Sequence, residues 1–294
     1  MSDEILKIKG RVITGERLSR HTTFGIGGPA WLWAEPIGLA DLKKILKFSG
    51  KNKKKIFIIG SGSNLLVRDD GFDGIVVRLS DQAFTAISVE NNRVRAGAGV
   101  KLGHLVIACC KASLGGLEGL AGIPGTVGGA LVMNSGYAGN IGDHVKQVRV
   151  MGPDGRVSIL AKKDLKFGYR TSNLNGRIVL EAEFSLKKTL KKKVIMRYES
   201  LMSEKKRRQP LDRKSAGCVF RNPAGQESGA GAIIEFCGLK GLRMGGAEVS
   251  RKHANFIINT NFATSKDVIN LIESIQRAVK DKVNVVLKPE IVIL

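Results

Sequence analysis

The sequence predicts an α/β (α+β) protein of two or three domains, organised around glycine-rich turns. Three observations carry that prediction. The 294 residues exceed the size at which one hydrophobic core is usual. Short apolar runs with strand character alternate with segments whose apolar residues recur at helical spacing. Glycine is over-used, at 36 of 294 residues, where ~7% is typical, and the excess sits mainly in loops.

Residues 18–38 open with a turn-rich segment from His21 to Pro29, followed by a short apolar run. Leu39, Leu42, Ile45 and Leu46 share one helical face and mark a helix over Leu39 to Phe48. The run Lys55 to Ile59 (KIFII) reads as a buried strand that delivers the chain directly into Gly60-Ser-Gly-Ser-Asn-Leu-Leu-Val67. Leu65 to Val67 has strand character, and Gly71 to Leu79 is a turn and a strand. A hairpin is expected over Ile87 to Ala96 around Asn91-Asn92, and a helix over Leu102 to Leu114 that closes on Gly115-Gly116. Val145 to Ala161 is a second hairpin, turned by Pro153-Asp154-Gly155.

An alternating strand, Ile178 to Leu186, leads into a lysine-rich helical segment that ends near Arg208, a plausible domain boundary. The last region begins at Ser215. It carries a helix near Gly231 to Phe236, a strand Phe256 to Asn259 and a helix Ser265 to Lys282. Thr264 and Asp267 form a capping-box pattern for that helix, and Val268, Ile272, Ile275 and Val279 lie on one face. Val283 to Leu287 reads as strand-like.

Two glycine turns stand out. Ala121 to Gly142 holds seven glycines and no Lys, Arg, Asp or Glu. Such density fits backbone that passes where a Cβ would collide with a ligand, whereas a flexible linker would lack the apolar insert Leu131-Val132-Met133. The Gly60 turn is not a dinucleotide-binding G-x-G-x-x-G, because Leu65 occupies the third glycine position and strand rather than helix follows. No G-K-[ST] follows either, which excludes a P-loop.

The formal net charge of +22 attracts anions such as phosphorylated small molecules, nucleic acid or membrane surfaces. The lysine runs at 51–55, 187–193 and 205–208 are not interleaved with aromatics, so solvated loops are the better reading than a nucleic-acid groove. Cys109, Cys110, Cys218 and Cys237 make no C-x-x-C pair, and no metal site is expected. Cys109 and Cys110 fall in a predicted helix and read as core. The opening MSDEILKIKG has no apolar signal core and no run approaches a membrane span, so the cytoplasm is the expected location.

Seven segments in this order resemble the UDP-N-acetylenolpyruvoylglucosamine reductases, flavoenzymes of bacterial peptidoglycan precursor synthesis. They are Thr22-Thr-Phe-Gly-Ile-Gly-Gly-Pro-Ala30, Gly60-Ser-Gly-Ser-Asn-Leu-Leu-Val67, and Gly122-Ile-Pro-Gly-Thr-Val-Gly-Gly-Ala130 with Met133-Asn134. The others are Tyr169-Arg-Thr-Ser172, Ser215-Ala-Gly-Cys-Val-Phe-Arg-Asn-Pro223, His253-Ala-Asn-Phe-Ile-Ile-Asn259 and Pro289-Glu-Ile291.

The resemblance implies an FAD-binding fold of the vanillyl-alcohol-oxidase type with two subdomains, 1–80 and 81–207, and a substrate-binding α+β domain over 208–294. It places FAD against Gly60, Ser61, Gly62, Ser63, Asn64 and Leu65 in one turn. The other turn contributes Gly122, Ile123, Pro124, Gly125, Thr126, Gly128, Gly129 and Ala130, with Asn134 and Gly136 at its edge. The first turn has no histidine to tether a flavin, so the FAD should be non-covalent.

The implied reaction takes hydride from NADPH through FAD to C3 of the enolpyruvyl group and protonates C2, giving UDP-N-acetylmuramate. Arg170 and Glu290 are then the expected stabilisers of the enolate-like species and Cys218 its proton donor. Many family members have serine at that position. A thiol, near ~8.5 in model peptides, is a better acid than a hydroxyl. Tyr169, Asn222 and Arg208 are candidates for binding substrate, with Arg213 or Lys214 as other basic groups for the diphosphate. His253 reads equally as a core residue or a ligand contact.

No tyrosine-bearing insertion lies between Tyr169 and Cys218, which implies the loop-less subtype, and Tyr137 is not an obvious replacement. No nucleic acid, membrane or obligate protein partner is expected. The alternatives are another non-covalent FAD oxidoreductase of this fold and a non-enzymatic binder of phosphate or nucleic acid.

Overall fold

The computed structural model describes residues 6–294; the first half of the opening segment read for a signal core, residues 1–5, lies outside them. The chain divides into two compact units. One comprises residues 6–14, Leu32–Ser61 and Asp73–Glu204, and the other comprises Gly15–Trp31, Gly62–Phe72 and Lys205–Leu294.

The first unit is built on two larger sheets around one core. A four-stranded sheet runs in the order Arg11–Thr14, Ala30–Glu35, Phe72–Arg78, Lys55–Ile59, the last two parallel. A five-stranded antiparallel sheet runs Val157–Ala161, Val145–Met151, Ile178–Ser185, Arg93–Gly97, Ile87–Glu90. Both predicted hairpins are present: Asn91 adopts φ +55° in one turn and Gly155 φ +76° in the other. Leu42 and Ile45 of the Gly38–Asn52 helix and Leu105 and Cys109 of the Leu102–Lys111 helix are buried in that core, with Ile75, Val94, Val148 and Ala182 from the sheets. Burial pushes the Cys109 thiol up to about 12, with the neighbouring Cys110 and Glu118 adding to it, as suits a core cysteine.

The Leu102–Lys111 helix stops short of its predicted end. Ser113 takes a left-handed φ of +61°, and Leu114–Gly115 pairs with Lys187–Lys188 instead of continuing the helix.

Asp41, 1% exposed, ties the chain entering this unit to its first helix. Its carboxylate accepts from the backbone N–H groups of Gly10 (2.8 Å), Lys9 (3.0 Å) and Ile37 (3.0 Å). Burial alone would raise its pKa, but these bonds and the nearby Lys44 outweigh it and hold the carboxyl below the ordinary value. Its stabilisation is therefore fully present above the ordinary carboxylate range and is lost as pH falls through the lowered folded value. Asp41→Ala strands three donors and should destabilise the protein by about 2–3 kcal/mol, measured by denaturant unfolding at pH 7. An unchanged midpoint would show that water replaces the carboxylate at no cost.

The second unit is built on a four-stranded antiparallel sheet, Ser215–Cys218, Phe256–Asn259, Ala247–Val249, Arg243–Met244. Helices Ala230–Phe236 and Ser265–Val283 pack apolar faces into its core through Ile234, Val268, Leu271, Ile275 and Val279. The predicted capping box forms: Thr264 accepts from the N–H of Asp267, and Asp267 from that of Thr264. The expected strand at Val283 to Leu287 does not form. The helix runs through Val283, Asn284 caps it at φ +53°, and the Gln276 side chain takes the Leu287 carbonyl that a neighbouring strand would have taken.

The strand pair that completes this unit joins distant parts of the sequence. Leu65–Leu66 pairs in parallel with Val292–Ile293, and Arg68 N–H donates to the Leu294 carbonyl. Among the described residues no helix is long and apolar enough to cross a membrane, and no cluster of His, Cys, Asp or Glu could hold a metal.

Candidate functional site

In the first unit the glycine stretch folds as a turn and a short helix, Val127–Val132, whose capping residue Thr126 bridges to Lys101. Gly122 (φ +65°) and Gly125 (φ +142°) occupy conformations that favour glycine. The stretch is laced to the turn between the Arg93–Gly97 strand and the Leu102–Lys111 helix: Val127 N–H donates to Val100 O and Gly128 N–H to Ala98 O. Gly60 lies against this turn, since a Cβ there would stand 2.4 Å from Thr126 Oγ1. Two predicted cofactor turns thus meet at Gly60 and Thr126, with Ser61 beside them.

The chemistry of this cradle fits a dinucleotide with an anionic pyrophosphate: short side chains, left-handed glycines and no carboxylate from Ala121 to Gly142. Ile123, Pro124, Gly125 and Gly129 lie at or near its surface, while Ala130 is buried in the core.

The same stretch positions Arg170. Asn134, 5% exposed at φ +43°, accepts from Gly142 N–H (3.1 Å) and donates to the Gly168 carbonyl (2.9 Å). Ser172 Oγ donates to Val132 O at 2.9 Å. These bonds pin a tight hairpin, Phe167–Gly168 with Thr171–Ser172, whose corner is Tyr169-Arg170. Arg170 adopts φ +55°, costly for a side chain of its size, and its guanidinium stacks over the Tyr169 ring at 5.3 Å. Strain of this kind persists only where the surroundings enforce it. Asn134 serves here by holding backbone with both ends of its amide.

In the second unit Cys218 ends a bulged strand. Ser215 pairs with Ile258 but Cys218 with Phe256, so one extra residue is accommodated, and Gly217 takes φ +77° to allow it. Bulges of this type re-aim the side chain that follows. The continuing backbone adjoins the segment bearing Glu290: Val219 O accepts from Glu290 N–H at 2.7 Å, and Phe220 bridges to Pro289.

The first glycine turn reaches the same place. Asn64 Nδ2 donates to Glu290 O (3.3 Å), Asn64 O accepts from Val292 N–H, and a Cβ on Gly217 would lie 3.8 Å from Ser63 O. Gly62 (φ +61°) is packed so closely on His21 O that a Cβ would stand 2.2 Å from it, and the Leu65 side chain is buried. Cys218, Glu290, Ser63 and Asn64 are therefore brought together within this unit.

The remaining predicted residues are more dispersed. Asn222 Oδ1 accepts from Ala230 N–H (3.0 Å) at the start of a helix, so that end of its amide is engaged. Arg208 is the exposed last residue of the Lys191–Arg208 helix. Lys214 lays its stem on Gly25, and Arg213 pairs with Asp212 on the surface. His253 is half-buried, edge-on to Phe256, and accepts at Nδ1 from Asn255 N–H. Burial, followed by the positive Lys240 and Arg208, lowers its pKa and keeps it neutral near pH 7, although its backbone contact and Glu235 act the other way. Thr23 and Asn255 lie within two of the segments that carry the resemblance, without a role expected for either. Thr23 Oγ1 donates to Ser215 O at 2.7 Å, and only the fold brings the two together.

Comparison with known proteins accounts for both halves of this arrangement. Residues 33–161 match an FAD binding domain, and residues 209–294 match the UDP-N-acetylenolpyruvoylglucosamine reductase C-terminal domain. The chain is 42% identical over 294 residues to the UDP-N-acetylenolpyruvoylglucosamine reductase of Caldanaerobacter subterraneus subsp. tengcongensis, covering 99% of this chain and 96% of that one. It is 43% identical to that of Moorella thermoacetica, covering 97% and 93%. The crystal structure of the Thermus caldophilus reductase superposes with a TM-score of 0.83 at 36% identity, covering 98% of this chain and 99% of that one. Identity at this level along nearly the whole length, together with the C-terminal domain match, establishes that the chain belongs to the UDP-N-acetylenolpyruvoylglucosamine reductase family.

Proposed function

We propose that this protein reduces the enolpyruvyl group of UDP-N-acetyl-3-O-(1-carboxyvinyl)-glucosamine to UDP-N-acetylmuramate in the cytoplasm, with NADPH as hydride donor. The observation that carries the chemistry is Cys218, aimed by a glycine bulge from a strand whose continuation pairs with the Glu290 segment. Non-covalent FAD, held by the Gly60–Leu65 and Gly122–Ala130 turns, supplies hydride transfer between NADPH and C3.

The side chains handle charge and proton. Arg170 and Glu290 favour the enolate-like distribution as negative charge moves toward the substrate carboxylate: Arg170 by direct attraction, Glu290 by polarising or orienting the reacting group. Cys218 Sγ–H gives its proton to C2, and the thiolate is reprotonated from water. Tyr169, Asn222 and Arg208 orient the nucleotide sugar. The net consumption is one NADPH and one proton per substrate.

Anaerobic stopped-flow of the two half-reactions tests this reading. Purified protein should be yellow, bleach on adding NADPH, and regain its colour when the enolpyruvyl sugar is added. Protein that carries no flavin, or stays bleached with that substrate, overturns the reading. The basic surface steers both anionic substrates, so raising salt from about 0.05 to 0.5 M should raise KM for NADPH and the UDP-sugar several-fold by screening. KM values independent of salt would leave the charge with no role beyond solubility.

A further inference from the structure

Beyond Cys218 the strand Ser215–Cys218 loses its ladder partner, because the neighbouring chain turns away through His253-Ala254-Asn255, closed by Phe256 N–H to His253 O at 3.0 Å. Asn255 fills the gap. Its backbone carbonyl accepts from Val219 N–H at 2.8 Å. Its side chain then pairs with both backbone groups of Phe220: Oδ1 accepts from Phe220 N–H (2.9 Å), and Nδ2 donates to Phe220 O (2.8 Å).

A carboxamide presents a donor and an acceptor much as a peptide unit does, so Asn255 extends the ladder by one residue with a side chain. On the opposite edge, either side of Phe220, Glu290 N–H donates to Val219 O and Arg221 N–H to Lys288 O. Val219 and Phe220 are thus clamped between Asn255 and the Glu290 segment. Asn255 is 3% exposed, Phe220 1% and Val219 0%, so no solvent can substitute for a lost bond without rearrangement.

We propose that Asn255 is a positioning residue for the protonation step: its amide fixes Val219-Phe220 and so sets both the aim of the Cys218 thiol and the register of Glu290 against it. This assignment deepens the reading of Cys218 as proton donor and rests on it. Asn255 itself touches no reacting atom. Asn255→Asp keeps the acceptor for Phe220 N–H but turns a carboxylate oxygen toward Phe220 O. Asn255→Ser shortens the side chain and leaves room for a water, which keeps a second variant available where the first fails to fold.

The test measures both variants in two ways. In anaerobic stopped-flow, bleaching by NADPH should stay within twofold of wild type, while colour recovery with the enolpyruvyl sugar slows at least tenfold at saturating substrate. In a Cys237→Ser background, Cys218 should be alkylated by iodoacetamide at least fivefold faster as its strand loosens, a change that needs no turnover to be seen. Recovery and alkylation rates both within twofold of the background protein would overturn the proposal. A wild-type protein that never recovers its colour overturns the function instead, and the alkylation rates still report whether Asn255 holds Cys218.

Discussion

Cys218→Ala is expected to slow reoxidation of the flavin by the enolpyruvyl sugar about 10²–10⁴-fold, as loss of a positioned general acid does, while bleaching by NADPH stays within twofold. Alanine suits the strand: the bulge depends on Gly217 at φ +77°, and the pairing of Cys218 with Phe256 is made by backbone. Loss of activity without loss of fold therefore isolates the thiol. Cys218→Ser leaves a weaker acid on the same Cβ and should retain measurable turnover. Normal reoxidation by the alanine variant would place the proton donor elsewhere, and Glu290, on the segment bonded to Val219, would be the next group to substitute.

Arg170→Ala should lower the same rate about 10²–10³-fold, the range for removing one donor from a developing anion. The backbone supplies an internal control. Arg170 sits at φ +55°, so Arg170→Gly relieves a left-handed conformation that alanine retains. The glycine variant should be about 1 kcal/mol more stable than the alanine variant, the usual penalty for a Cβ in that region, yet equally impaired. Near wild-type reoxidation by both variants, with stability shifted as described, would mean that the strained corner serves only the hairpin.

What the sequence disclosed and what it hid follow a physical divide. Elements fixed by local chemistry were readable. Thr264 and Asp267 form the capping box their spacing announces, Asn91-Asn92 and Gly155 turn the hairpins, and Cys109 and Cys110 lie in the core. Endings decided by distant partners were not. Ser113 leaves its helix early because Leu114–Gly115 has Lys187–Lys188 to pair with, and the segment after Asn284 stays out of a sheet because Gln276 takes its carbonyl.

The candidate site shows the same split. Glycine density pointed to the cradle, but nothing near Gly60 announces that it will rest on Thr126. Asn134 is expected at the flavin's edge from its motif, but nothing in the sequence says that its amide also holds the Gly142 and Gly168 backbone beside Arg170. Asn255 lies in one of the segments that carry the resemblance, but no role for it was expected, because its side chain copies a peptide unit that the neighbouring strand does not supply.

The parallel pairing of Leu65–Leu66 with Val292–Ile293 sets an order on biosynthesis. The largest segment of the first unit, Asp73–Glu204, leaves the ribosome between those two strands, so Glu290 and the strand that anchors it follow the whole of that unit. At ~5–20 residues per second, the early strand waits on the order of ten to fifty seconds for its partner. During that interval Phe24, Ile26 and Leu66, all buried in the finished second unit, have no completed core to enter. The nascent chain thus carries an open strand edge and unburied apolar side chains throughout that interval, whereas the first unit has every segment it needs once Glu204 is made.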